Sequence, residues 1–222
     1  MNPRLTDIDP AEALRYLGCK GAPPEELLRD VQRCRARLLD DARPRLVWKR
    51  FPRLPDGRLE GTDWTPEGAD IAAHLLGCPQ VVLLATTLGA ETETLIRRAQ
   101  RRDMAEALLL DACAGAALEN VCDNFCADLA LELAPARLTG RYSPGYGDFP
   151  LSEQRRIFAL LDVTRRIGVS LTEGGLMLPQ KSVTALIGVG APEGARTAST
   201  CDTCAARTRC IFRKEGRNCG TP

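Results

Sequence analysis

Histidine is nearly absent from this sequence of 222 residues, which contains a single one, His74. Hydrolases built on a Ser-His-Asp or Cys-His set need a histidine as general base, so this class would depend on that one residue. His74 lies among apolar residues in a predicted helix, which favours a structural or surface position over a catalytic one. The chain also lacks a Gly-x-Gly-x-x-Gly motif after a strand and a Walker-type phosphate loop. The sequence therefore argues against hydrolase chemistry and offers no standard nucleotide-binding motif.

Long apolar runs and net charge are missing as well. No apolar run approaches the roughly 18 residues that a membrane span requires, and segment 1–10 lacks the hydrophobic region of a signal peptide. The 30 basic and 29 acidic residues nearly cancel, so no overall field attracts nucleic acid or an acidic surface. We therefore expect a cytoplasmic protein without a membrane or nucleic-acid partner.

Local patterns predict an α+β fold, in which long helices are mixed with short, hairpin-linked strands. Capping signals mark three helix starts, at Asp9-Pro10, Thr65-Pro66 and Ser152-Glu153. The predicted helices cover about residues 10–17, 25–40, 66–76, 91–133 with a break near 102–103, and 153–167. The predicted strands cover 45–51, 81–87 and 137–141, and an antiparallel meander covers 169–172, 176–179 and 182–189. We expect one domain at 1–190, with an N-terminal helical part to about residue 42, then a linker and Cys-rich tail at 191–222.

The segment Arg141–Pro150, called loop 141–150 below, has the composition least typical of a helix or strand in this chain. Its two prolines and two glycines exclude a regular helix or a central strand. It nevertheless carries three aromatic side chains, Tyr142, Tyr146 and Phe149, beside an arginine whose guanidinium suits a carboxylate. This combination suggests a pocket for a small zwitterionic or anionic ligand. A structural turn between a strand and a helix explains the composition equally well.

Ten cysteines in a chain expected in a reducing compartment need an explanation other than disulfides. Most of the first six fit small buried hydrophobic residues, although Cys122 and Cys126 lie on one helical face and could form a metal pair. The other four crowd the last 22 residues and are Cys201, Cys204, Cys210 and Cys219. Their spacing favours a metal site, either zinc or an iron–sulfur cluster, over a redox-active thiol pair or an unstructured tail.

The loop sequence Arg141-Tyr142-Ser143-Pro144-Gly145-Tyr146 resembles a known pattern. It is similar to the Arg-Pro-Ala-Pro-Gly-Tyr loop of the activation (reactivation) domain of cobalamin-dependent methionine synthase. Segment 151–161 resembles the helix that follows in that domain. Leu171-Thr172-Glu173, Met177-Leu178-Pro179 and Ser182-Val183 resemble its later Leu-Thr-Glu-x-x-x-Met-x-Pro-x-x-Ser-Val segment. The resemblance covers about residues 80–190, and the combination is far more specific than any single piece.

The resemblance implies a fold of long helices packed on a mixed, largely antiparallel twisted sheet. It also implies a site for S-adenosylmethionine. In the family, the arginine of the loop contacts the methionine carboxylate, the tyrosine lies beside the ligand, and the loop backbone contacts the remainder. These roles fall on Arg141, on Tyr146, and on the backbone of Ser143 and Gly145. An acidic residue from a preceding helix also contacts the ligand, and Glu119 is the nearest candidate.

The function implied is that of a stand-alone reactivation protein. It would support reductive methylation of cob(II)alamin in a cobalamin-dependent methionine synthase or a related corrinoid methyltransferase. The partner carries the cobalamin, and a donor such as flavodoxin or ferredoxin supplies the electron. The cobalt supplies the methyl-transfer chemistry, so this activation component of a methyltransferase needs no acid–base pair and no catalytic residue is assigned. The alternative is a non-catalytic metal-binding interaction protein that keeps the fold without ligand binding.

Three features depart from the family pattern. Position 142 is tyrosine instead of proline, and Gly147-Asp148 replaces the residues that usually follow the tyrosine. The C-terminal cysteines have no counterpart in the classical activation domain. They suggest an added electron-transfer or metal site.

Overall fold

The computed structural model describes residues 1–19 and 21–192. The helices are α1 (Pro10–Tyr16), α2 (Glu25–Asp41), α3 (Ala69–His74), α4 (Ala90–Gln100), α5 (Met104–Glu132), α6 (Gln154–Leu161) and α7 (Val163–Ile167). The strands are β1 (Arg45–Pro52), β2 (Gln80–Thr87), β3 (Ser170–Leu171), β4 (Met177–Leu178) and β5 (Ser182–Val189). The predicted α+β class is confirmed. Among the described residues, no helix is both long and apolar enough to cross a membrane.

Three long strands form one sheet in the order β1-β2-β5, whereas β3 and β4 form a separate antiparallel pair. The predicted meander is therefore wrong at its last step, because β5 lies beside β2 instead of β4. All but one of the eight residues of β5 are buried, and a two-residue strand cannot cover them. The predicted strand at 137–141 is reduced to two isolated antiparallel bridges, Leu138–Val189 and Tyr142–Leu186.

The chain divides into two compact units. The first comprises Met1–Val47, Ala85–Glu132 and Phe158–Val183. Here α1, α2 and α4 pack against α5 around a buried apolar core that includes Val31, Leu38 and Leu110. Gly115 of α5 lies against the ring of Tyr16, where an added Cβ would come within 3.2 Å of Cε2. The predicted break before α5 is confirmed, and Asp103 caps the new helix by accepting from two of its backbone amides.

The second unit comprises Trp48–Leu84, Leu133–Ile157 and the described residues from Thr184 onward. It contains α3 and loop 141–150. Its fully buried side chains include Ile71 and Leu75 of the α3 region and Phe149 of the loop. The proposed domain of residues 1–190 stays a prediction.

One predicted helix start and one predicted helix cap are wrong. The helix predicted at Thr65-Pro66 begins at Ala69, after Gly68, which makes no side-chain cap. The helix predicted from Ser152-Glu153 begins as a 3-10 turn preceded by Pro150, again without a side-chain cap. It is then divided into α6 and α7 at Asp162, whose φ of 52° lies in the left-handed region. Aspartate tolerates this conformation better than most residues, so the division is compatible with the sequence.

Candidate functional site

Loop 141–150 has a defined backbone conformation. Tyr142 exchanges two backbone hydrogen bonds with Leu186 of β5, at 2.9 and 2.8 Å. Within the loop, the Gly145 amide donates to the Phe149 carbonyl at 2.8 Å, and the Phe149 amide donates to the Tyr146 carbonyl at 3.0 Å. Tyrosine at position 142 therefore contributes an N–H that the family's proline lacks.

The three aromatic side chains of the loop form a cluster with His74. The Tyr142 ring centroid lies 5.0 Å from that of His74 and 6.3 Å from those of Tyr146 and Phe149. Phe149 is fully buried, whereas 66% of Tyr146 is exposed. Phe149 thus anchors the loop, and Tyr146 presents its ring to solvent.

Two aspartates join the far end of the loop to the start of α3. The Asp148 carboxylate accepts from the backbone amides of Ala69 at 2.6 Å and Asp70 at 2.9 Å. In return, the Asp70 carboxylate accepts from the Asp148 amide at 3.2 Å. The arrangement is a reciprocal capping interaction, but its two halves come from segments 78 residues apart.

His74, the last residue of α3, contacts the near end of the loop. Its Nε2 lies 2.9 Å from the carbonyl oxygen of Gly140. Since a carbonyl only accepts, Nε2 carries the proton and donates. Burial lowers the pKa of His74, and the hydrogen bond to Gly140 opposes this shift in part. The neutral imidazole is therefore favoured, and the residue has the structural position that the sequence favoured.

Four of the five predicted ligand-binding residues lie in this loop. Arg141 and Ser143 are partly exposed, and Gly145 and Tyr146 are exposed. Gly145 has a φ of 93°, and the nearest atom to an added Cβ would be Leu151 Cδ1 at 3.6 Å. The backbone at Gly145 can therefore be approached closely. The guanidinium of Arg141 suits the carboxylate of S-adenosylmethionine, and the exposed ring of Tyr146 suits its adenine. These groups and the open backbone at Gly145 are compatible with this ligand.

Glu119, the fifth predicted residue, belongs to α5 in the first unit. It lines a cavity of about 360 Å³ together with Tyr16, Gly115 and Lys181. Burial, followed by the negative charges of Glu119 and Glu12, raises the pKa of Tyr16 to about 12. Lys181 forms an ion pair with Asp111 at 2.9 Å in the same lining. The cavity is about half open to solvent, and the role of Glu119 in ligand binding stays a prediction.

The cysteines divide between described and undescribed residues. Within the described part of the chain, none of the six cysteines up to Cys126 forms a disulfide, and four of them are buried. Within residues 1–19 and 21–192, no group of three or more His, Cys, Asp or Glu side chains could hold a metal, so the pair Cys122 and Cys126 gains no further ligand. The predicted ligands Cys201, Cys204, Cys210 and Cys219 lie outside the described residues.

The contacts of α3 with the loop were missed in the sequence. The neighbouring residues in the sequence do not predict the roles of Asp70 and Asp148, because each carboxylate accepts from backbone amides that are distant in the chain. The signal that was present is indirect. Gly147-Asp148 departs from the family pattern, and these are the residues that contact the start of α3.

Residues 129–195 match the family model described as the vitamin B12 dependent methionine synthase activation domain. A crystal structure of the MetH reactivation domain bound to AdoHcy aligns with 95% of this chain and 82% of that chain, with a TM-score of 0.57 and 18% sequence identity. The chain has the fold of a methionine synthase reactivation domain. The resemblance to the activation domain read from the loop and the later segment is thus confirmed. Comparison with curated proteins finds no match.

Proposed function

We propose that this activation-domain-like chain binds S-adenosylmethionine at loop 141–150. In that role it supports reactivation of a cobalamin-dependent methionine synthase or a related corrinoid methyltransferase. The observation that carries the proposal is the family match at 129–195, which contains the whole loop. The relative with the same fold was crystallised with AdoHcy, the demethylated form of the methyl donor.

The loop residues have separate roles in this proposal. Arg141 pairs with the methionine carboxylate through two parallel hydrogen bonds. The exposed ring of Tyr146 lies beside the ligand, and the backbone at Ser143 and Gly145 contacts the remainder. These groups bind and orient the methyl donor, and none of them moves a proton.

The reaction itself takes place at the cobalamin of the partner. A donor such as flavodoxin or ferredoxin supplies one electron to cob(II)alamin. The methyl group then passes from the sulfonium of S-adenosylmethionine to cobalt, the carbon–sulfur bond breaks, and its electron pair stays on the sulfur of S-adenosylhomocysteine. The protein's contribution is to hold the sulfonium within reach of the cobalt.

An anaerobic assay tests this function. The protein is mixed with a cob(II)alamin-loaded methionine synthase that lacks its own activation domain, a reductant and S-adenosylmethionine. We expect the visible spectrum to change to that of methylcobalamin only when all four components are present. If no methylcobalamin forms and calorimetry detects no S-adenosylmethionine or S-adenosylhomocysteine binding, the proposal is wrong. The non-catalytic interaction protein then becomes the better description.

We also propose that Cys201, Cys204, Cys210 and Cys219 bind a metal, on their spacing alone. Anaerobically purified protein should then contain bound metal that is lost in a variant with all four replaced by serine. Absorption at about 400 nm with bound iron would identify an iron–sulfur cluster, which could relay the electron. Colourless protein with bound zinc would identify a structural site. Metal-free protein with four titratable thiols at these positions would contradict the proposal.

A further inference from the structure

Helix α3 contacts loop 141–150 at both ends of the loop. At the start of the helix, Asp148 and Asp70 exchange three hydrogen bonds with each other's backbone segments. At the end of the helix, His74 donates to the carbonyl of Gly140, the residue directly before the loop. We infer that Asp70, His74 and Asp148 are positioning residues, which hold the loop in one conformation by fixing both of its ends to α3.

Glycines on both segments make the contact between Asp70 and Asp148 sterically possible. A Cβ added at Gly68 would lie 2.7 Å from Asp148 Oδ1. One added at Gly147 would lie 2.1 Å from Asp70 Oδ2 and 2.6 Å from the hydroxyl of Tyr142. Real Cβ atoms do not come this close to other heavy atoms. Glycine at position 68 therefore leaves room for the Asp148 carboxylate, and glycine at position 147 leaves room for the Asp70 carboxylate.

Two of the places where the loop departs from the family pattern take part in these contacts. Gly147-Asp148 supplies the carboxylate and the space for Asp70. Tyr142 supplies the ring that packs on His74 and the amide that pairs with Leu186. Tyr142, Gly147 and Asp148 therefore connect this loop to α3 and β5.

Holding the loop in one conformation lowers the entropy cost of binding a ligand. Holding a residue in one backbone conformation costs conformational entropy, and in a loop that is already ordered the folding of the protein has met this cost before the ligand binds. A loop that is ordered before binding therefore binds more tightly than one that the ligand must order. This inference rests on the proposed function for its ligand, but the ordering of the loop can be measured without one.

Hydrogen exchange of the ligand-free protein tests the ordering. Asp148→Ala removes both hydrogen bonds to α3, and we expect the Gly145 and Phe149 amides to exchange about tenfold faster. These two amides are informative because neither donates to the substituted side chain. Asp148→Asn, which keeps one acceptor oxygen, should restore part of the protection. His74→Phe should also accelerate exchange, whereas His74→Gln, which keeps a donor near the position of Nε2, should not.

Calorimetry with S-adenosylhomocysteine gives the second measurement, with an expected loss of about tenfold in affinity for Asp148→Ala. The matched control is Asp103→Ala, which also removes an aspartate that caps two backbone amides, but at the start of α5. It should lower stability while leaving loop exchange and affinity unchanged.

The outcomes separate the two proposals. If Asp148→Ala and His74→Phe leave exchange at Gly145 and Phe149 unchanged, the positioning role is wrong, whatever happens to global stability. If exchange accelerates as expected but the wild-type protein binds no S-adenosylhomocysteine, the ordering of the loop by α3 stands and the proposed function fails.

Discussion

Replacing Arg141 with alanine is expected to weaken S-adenosylhomocysteine binding about thirtyfold, or roughly 2 kcal/mol. In the proposed site, the Arg141 guanidinium pairs with the ligand carboxylate, and truncation leaves that carboxylate without its partner. Because the loss affects binding instead of chemistry, methylcobalamin formation should recover at high S-adenosylmethionine. Calorimetry measures the affinity, and the concentration dependence of the anaerobic assay measures the recovery.

Two matched variants show whether geometry or charge matters at this position. Arg141→Lys keeps the positive charge but loses the planar fork, so we expect it to recover only part of the affinity. Arg137→Ala removes the same charge from an exposed residue four positions earlier and should bind normally. Equal affinities for wild type and Arg141→Ala would show that Arg141 does not contact the ligand. A loss of the same size in Arg137→Ala would point to a general charge effect.

Replacing Gly147 with alanine should lower the free energy of unfolding by about 2–3 kcal/mol. Part of this cost is backbone strain, because the φ of Gly147 is 55° and a left-handed conformation costs a residue with a Cβ about 1–2 kcal/mol. The rest is the displacement of the side chains that occupy the space, which are the Asp70 carboxylate and the Tyr142 hydroxyl. The displaced Asp70 would lose its hydrogen bond to the Asp148 amide, worth about 1 kcal/mol. Denaturant unfolding measures the sum.

A double-mutant cycle separates these two contributions. In an Asp70→Ala background the carboxylate is absent, so the cost of Gly147→Ala should fall by about 1 kcal/mol. Gly145→Ala is the control for strain alone, because Gly145 has a φ of 93° but no neighbour closer than 3.6 Å to an added Cβ. Its cost should not depend on Asp70. An unchanged cost of Gly147→Ala in the Asp70→Ala background would exclude the clash with Asp70 as a cause and leave strain and the Tyr142 hydroxyl.

The sequence by itself determined features whose causes are local. The start of α1 was predicted from Asp9-Pro10, and Asp9 indeed accepts from the Ala11 amide two residues later. The buried strand β2 and the break between α4 and α5 were predicted from periodicity and composition within each segment. The resemblance of loop 141–150 likewise rests on consecutive residues, and the family match confirmed it.

Only the tertiary structure decided which distant segments meet. Thr65-Pro66 is a good local start signal, yet α3 begins at Ala69, where the acceptor for its first amides is Asp148, 79 residues away. The strand β5 was predicted from its own sequence, but its pairing with β2 was not. Propensity and capping act over a few residues, whereas strand partners and caps from another segment depend on how the chain packs. For this reason the composition of loop 141–150 could indicate a site, but only the fold shows that α3 holds both of its ends.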